Sequence, residues 1–349
     1  MDDTGMGRAF IGSFTSAGGR GIVMADVDPD TGALTVTGAF GAVADPSYLA
    51  VNHTPTGPVL YAVSETAPGA VTAYDIAGPV PHPICTPVGV RGDEPTHLTI
   101  ARGHLLTANY GSGSVSVLPL AADGTPQPPS SVLLHEGSGP HPDRQLAAHT
   151  HQVLPDPSGS WALSVDLGTD SVQSYSLDPE TGELTLHGEI TLPPGTGPRH
   201  LAFHPAGRHA YVLGELHPTV TVCRWDAATG ALEPTGETPL FPEGADGTVS
   251  PSAPVVSRDG RHLWVTVRGT DTIVVLALDE RGEEAEVITS VPCGGHWPRD
   301  LALHPSSSHL YAANERSGDV TWFDIDHTTG IPHRAGSVSV PAASHVIFA

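Results

Sequence analysis

The sequence predicts an all-β fold: a seven-bladed β-propeller of four-stranded antiparallel blades, forming one domain over residues 1–349. Three observations carry this expectation. Six segments repeat the hairpin pattern of an alternating run, a Pro/Gly/Asp turn and a second apolar run. Tight turns such as "DPDTG" (28–32) and "DPETG" (178–182) fall between them. The two ends of the chain each supply half of a seventh copy.

The hairpins are "PSYLAVNHTPTGPVLYAVSE" (46–65), "PTHLTIARGHLLTANY" (95–110), "HTHQVLPDPSGSWALSVD" (149–166), "PRHLAFHPAGRHAYVLGE" (198–215), "PSAPVVSRDGRHLWVTVR" (251–268) and "PRDLALHPSSSHLYAANE" (298–315). Their third residues are Tyr48, His97, His151, His200, Ala253 and Asp300, at spacings of 47 to 54 residues. The intervening turns each follow one strand-like run and precede another, as in "DAATG" (226–230) and "DHTTG" (326–330). Units of about 40–50 residues with four strands read as propeller blades. "PAASHVIFA" (341–349) matches a first run and "RAFIGSF" (8–14) a second run. Their pairing closes the ring and leaves no free sheet edge.

Composition narrows the function. The chain has 40 Gly and 34 Pro, a turn-rich balance, and 39% hydrophobic residues, enough for a core. The net charge of −23 repels nucleic acid and anionic membrane surfaces, which excludes both as expected partners. With only 15 basic residues, an anion site has to be a local arginine cluster. No run reaches the eighteen or so apolar residues of a membrane span. "MDDTGMGRAF" is acidic and has no apolar h-region, so it does not read as a secretory signal. Cys85, Cys223 and Cys293 have no metal-ligand spacing, which suits reduced thiols in the cytoplasm. H-E-x-x-H, Cys-x-x-Cys, Walker, G-x-G-x-x-G and G-x-S-x-G patterns are absent. No metal and no cofactor are expected, and a monomer or weak homo-oligomer is.

First strands of propeller blades line a central channel, and one mouth usually holds the site. The residues before the third column are Ser47, Thr96, Thr150, Arg199, Ser252, Arg299 and Ser344. Those ending the second run are Glu65, Tyr110, Asp166, Glu215, Arg268, Glu315 and Phe14. Both columns are polar and change from blade to blade, as a surface of mixed chemistry would. His204 and His304 stand at His-Pro turns and read as turn residues, while His209 and His309 read as solvent-facing.

The chain is similar to the lactonase family of seven-bladed propellers, which includes the propeller-type 6-phosphogluconolactonases and the carboxy-cis,cis-muconate cyclases. The resemblance runs through "FIGSFTSAGGRGI", "TANYGSGSVSVLPL", "RQLAAHTHQVLPDPSG", "DLGTDSVQSYSLDPETGEL", "GPRHLAFHPAGRHAYVLGE" and "VRGTDTIVVLALDE". It implies a quartet of His151, Arg199, Glu215 and Arg268. This chain departs from the family pattern at Val267 and at the "LG" before Glu215, and keeps every charged group. Arg299, Arg144, Asp166 and His200 are further candidates for substrate binding. The implied activity is hydrolysis of a small anionic sugar lactone, 6-phosphogluconolactone by default. Glu215 is expected as general base on water and His151 as proton donor to the ring oxygen. Arg199 and Arg268 would bind anionic groups and stabilise developing negative charge. The same residue types suit a lactonising cycloisomerase, and a non-catalytic binding scaffold is the remaining alternative.

Overall fold

The computed structural model describes residues 7–349 apart from 42 and 242–248. Seven antiparallel sheets surround one axis. The third blade shows the pattern from inside to outside: Thr150–Pro155, Trp161–Asp166, Ser171–Leu177 and Leu184–Thr191. The inner strands of adjacent blades pack against one another around the channel. The outermost strands alternate between half-buried and exposed residues, as Ala285–Pro292 does, because one of their faces meets water.

Ring closure follows the expected pairing of the two chain ends. Ala343–Phe348 pairs antiparallel with Arg8–Ser13, Phe10 opposite Ile347. The first blade departs from the pattern. Its fourth strand is reduced to two short pieces, His82–Pro83 and Val88–Gly89. Four prolines in "GPVPHPICTPVG" cannot donate ladder hydrogen bonds, so a continuous strand does not form.

The core lies between blades. Tyr211, Leu213 and Val222 of the fourth blade pack with Leu263, Val265 and Val274 of the fifth. Several of the turns between the second pair of strands also latch onto the preceding blade. Tyr211 Oη donates to Gly282 O at 3.0 Å, Trp264 Nε1 to Gly330 O at 2.7 Å, and Tyr311 Oη to Gly32 O at 2.6 Å. These glycines have φ near +70° and lie flat on their neighbour's rings. The latch explains one difference from the sequence reading. His209 and His309 are buried, not solvent-facing, and His309 lies directly under Gly32. His204 and His304 do serve turns, their Nδ1 atoms accepting from Ala206 and Ser306 amides at 3.1 and 3.2 Å. The three cysteines are unpaired. Among the described residues, no helix is long and apolar enough to cross a membrane.

Candidate active site

The inner strands bring functional side chains to the channel by a shared device. In six blades a β-bulge leaves one residue unmatched near the start of the inner strand: Thr96, His151, Arg199, Ser252, Arg299 and Ser344. A bulge re-aims the extra side chain. This register moves the third blade by one residue relative to the sequence alignment. His151 is the counterpart of Arg199, and Gln152 is the counterpart of His200. The backbone agrees: Gln152 Oε1 accepts from Leu201 N at 2.7 Å, just as Asp300 Oδ2 accepts from Val346 N at 3.1 Å.

The same offset removes Asp166 from the expected binding set. It pairs with Thr150, as Gly214 pairs with Pro198, so Leu167 and not Asp166 stands level with Glu215. Asp166 is fully buried and accepts from the amides of His149, Gly168 and Thr169 at 2.8, 2.9 and 3.1 Å. Its other oxygen takes Thr150 Oγ1 and His135 Nδ1. These bonds shape the loop beside His151 and leave no oxygen for a substrate.

Glu215 is the centre of the charged cluster. Its Oε2 lies 2.7 Å from Arg268 Nη2 and 3.1 Å from Arg199 Nε, and its Oε1 accepts from Arg144 Nη2 at 2.9 Å. Glu215 and Arg199 are buried, Arg268 nearly so, and Arg144 is 39% exposed. Arg199 and Arg268 are further anchored on the carbonyls of Ser252, Ser250 and Pro251. Burial pushes the Glu215 carboxyl up, but the three guanidiniums outweigh it and hold the pKa down to about 2. A carboxylate that acidic, with both oxygens occupied, is a poor general base. It holds three guanidiniums beside one another, three positive charges against one negative.

His151 stands against this cluster in a narrow void shared with Arg199, His200, Arg299 and Glu65. Its ring meets Tyr110 and His200 edge-on at 5.6 and 5.1 Å. Nδ1 is buried and has no hydrogen-bond partner among the described residues. Burial, then the Arg199 charge, hold His151 well below the ordinary imidazole range. A neutral ring can accept a proton and has none to spare at neutral pH. His200 is held neutral in the same way and continues the belt through His97, Tyr48 and His345.

A second ion cluster lies across the void. Arg299 Nη1 is 3.4 Å from Glu315 Oε2, and Nη2 is 3.6 Å from Glu65 Oε1, with the guanidinium 4.7 Å from the Phe14 ring centre. Nearby, Trp297 at φ 65° is stacked under Arg316 at 3.4 Å and meets Arg268 at 5.6 Å. The chain has no lysine, and five of its 15 basic residues are thus gathered at one mouth: Arg144, Arg199, Arg268, Arg299 and Arg316.

Residues 8–348 match the family described as lactonase, 7-bladed beta-propeller. The chain belongs to that family. It is 33% identical over 342 residues to 6-phosphogluconolactonase of Bacillus subtilis, covering 95% of each chain. The periplasmic gluconolactonase of Pseudomonas aeruginosa superposes with a TM-score of 0.88 at 30% identity, covering 98% of each chain. A Lactobacillus plantarum protein gives a TM-score of 0.92 at 29% identity over 98% of this chain and 99% of that one.

In this lactonase-family propeller, the structure joins Arg144, Arg199 and Arg268 on Glu215 and lines an adjoining void with Arg199, His151, His200 and Arg299. Arg144 reaches Glu215 from the loop before the third blade, outside both repeat columns, so spacing gave no hint of that contact. Glu65, Glu315 and Tyr110 stand in the channel columns but had no sequence motif to single them out. Among the described residues no cluster of three or more His, Cys, Asp or Glu could hold a metal ion.

Proposed function

We propose that this protein hydrolyses a small anionic sugar lactone of the 6-phosphogluconolactone type, with His151 as general base. The observation that carries the reading is the juxtaposition of an unpartnered neutral imidazole with three guanidiniums sharing one carboxylate. His151 takes a proton from water as the oxygen attacks the lactone carbonyl. Arg199, Arg268 and Arg299 offer positive charge where the oxyanion develops, in a void where it is poorly screened. Arg144, the most exposed guanidinium on Glu215, receives the anionic substituent. An anion bound there also offsets the positive charge that depresses His151, which strengthens the base when substrate is present. His151 therefore takes the base role expected of Glu215, and Glu215 becomes the anchor of the arginines. We assign the activity to the cytoplasm, on the strength of three unpaired cysteines; the Pseudomonas relative is periplasmic.

The test is a continuous assay of purified protein with 6-phosphogluconolactone and glucono-δ-lactone against the spontaneous rates. Acceleration of the phosphorylated lactone, greater than of the neutral one, is the expected result. No acceleration of any lactone would overturn the hydrolase reading. Conversion of a carboxymuconate to its lactone would replace it with a cycloisomerase.

A further inference from the structure

We infer that Glu65 is the proton donor to the leaving ring oxygen of the lactone. This rests on the hydrolase reading of the same site and supplies the group that reading lacks.

Glu65 and Glu215 hold the same place in their blades, each directly following the second strand. They stand in the first and fourth blades of the ring, and Glu65 lines the void directly. Their surroundings differ in kind. Glu215 meets three guanidiniums within 3.1 Å. Glu65 meets one, and only at 3.6 Å, beyond hydrogen-bond reach; that guanidinium is shared with Glu315. Glu65 Oε2 accepts a short hydrogen bond from Ser47 Oγ. Oε1, 3.6 Å from Arg299 Nη2, is the oxygen to which we assign the proton, and Glu65 lines the void together with His151.

The charged groups facing Glu65 come from several elements. Arg299 and the more distant Arg199 favour its ionised form, as does Ser47, while Glu94 opposes it. Burial outweighs them and raises its pKa, so the carboxyl is biased towards the protonated form. Two glutamates in one site are driven in opposite directions by their environments, the pattern that separates an acid from a charge stabiliser.

The proton count closes. His151 removes one proton from water, and the hydroxide oxygen bonds to the carbonyl carbon. The tetrahedral intermediate collapses with cleavage of the bond to the ring oxygen, which takes the Glu65 proton. The product is the hydroxy acid, leaving His151 protonated and Glu65 ionised. Transfer of the His151 proton to Glu65 through solvent restores both.

An alkoxide needs that proton, and a phenolate, with a pKa of about 10, needs it far less. Glu65→Gln should therefore lower kcat at least ~100-fold on an aldonolactone. On dihydrocoumarin, whose leaving group is a phenol, the loss should stay within about 3-fold of wild type, by the same acid-catalysis reasoning. Infrared pH-difference spectra should show a protonated-carboxyl C=O band that appears above the ordinary glutamate range as pH is lowered and that Glu65→Gln removes. Ser47→Ala, which leaves Glu65 in place, should shift that band and so assigns it even where Glu65→Gln does not fold. Equal losses on both lactones, no loss on either, or no such band overturns the Glu65 role alone. If the wild type accelerates neither lactone, the hydrolase reading falls and takes this role with it.

Discussion

Arg144 Nη2 donates to Glu215 Oε1 at 2.9 Å, from a side chain 39% exposed, while Glu215 itself is 2% exposed. One end of this pair faces solvent and the other is locked in the protein, so the two residues have different duties. Arg144→Ala removes a half-exposed partner and leaves Glu215 with two others. The expected cost in stability is below about 1 kcal/mol, with KM for an anionic lactone raised roughly 10-fold, the scale of one charge-assisted contact. Arg268→Ala or Glu215→Gln instead strands buried charge and should cost about 3–5 kcal/mol. Paired denaturation and kinetic measurements check the split; a larger stability loss for Arg144→Ala than for Arg268→Ala would contradict it.

Burial and the Arg199 charge hold His151 well below the ordinary imidazole range. The kcat/KM profile should show no loss as pH falls through 6.5 and decline only well below it. His151→Asn should lower kcat by about 10² to 10⁴ with little change in thermal midpoint. A profile that halves near pH 6.5 would show an ordinary imidazole and count against the depressed base.

Acid should destabilise the fold in two stages. The pKa values of His97, His151 and His200 are held below the unfolded value, so unfolding takes up protons once pH falls under about 6.5. Their contribution is complete above that pH and is lost as pH drops towards the folded values. Glu215, about 2 folded against 4.5 unfolded, adds about 3 kcal/mol above pH 4.5 that disappears as pH approaches 2. Glu65 works the other way, because its raised pKa favours the fold below 4.5 and the gain is lost as pH rises. Calorimetry from pH 8 to 3 should show Tm falling from about pH 6.5; a rise between pH 7 and 5 would refute the assignment of neutral buried histidines.

The latches between blades should govern stability and not chemistry. Tyr211→Phe removes the hydrogen bond to Gly282 O and leaves that carbonyl short of a donor, costing about 1–2 kcal/mol. Gly330→Ala is harsher, since a Cβ there collides with the His262 ring at φ 69°. Both variants should keep wild-type kcat at temperatures where they are folded.

The repeat made the blade number and the ring closure legible in the sequence, because each blade must present the same alternation of apolar and polar residues to its neighbours. It also located Arg199, Glu215 and Arg268 at the channel. His151 was found through the family motif, in a column one residue away from its structural place. A bulge inserts a residue without changing which residues are apolar, so sequence alignment absorbed the offset and placed Asp166 at the mouth. Only the hydrogen-bond register revealed that Asp166 holds a loop. The reassignment of the base from Glu215 to His151 that we propose likewise rests on three-dimensional surroundings. A carboxylate and an imidazole have ordinary acidities on paper. Here Arg144 arrives from a distant loop, Arg268 from the next blade, and burial acts on both groups, and none of these is a property of local sequence.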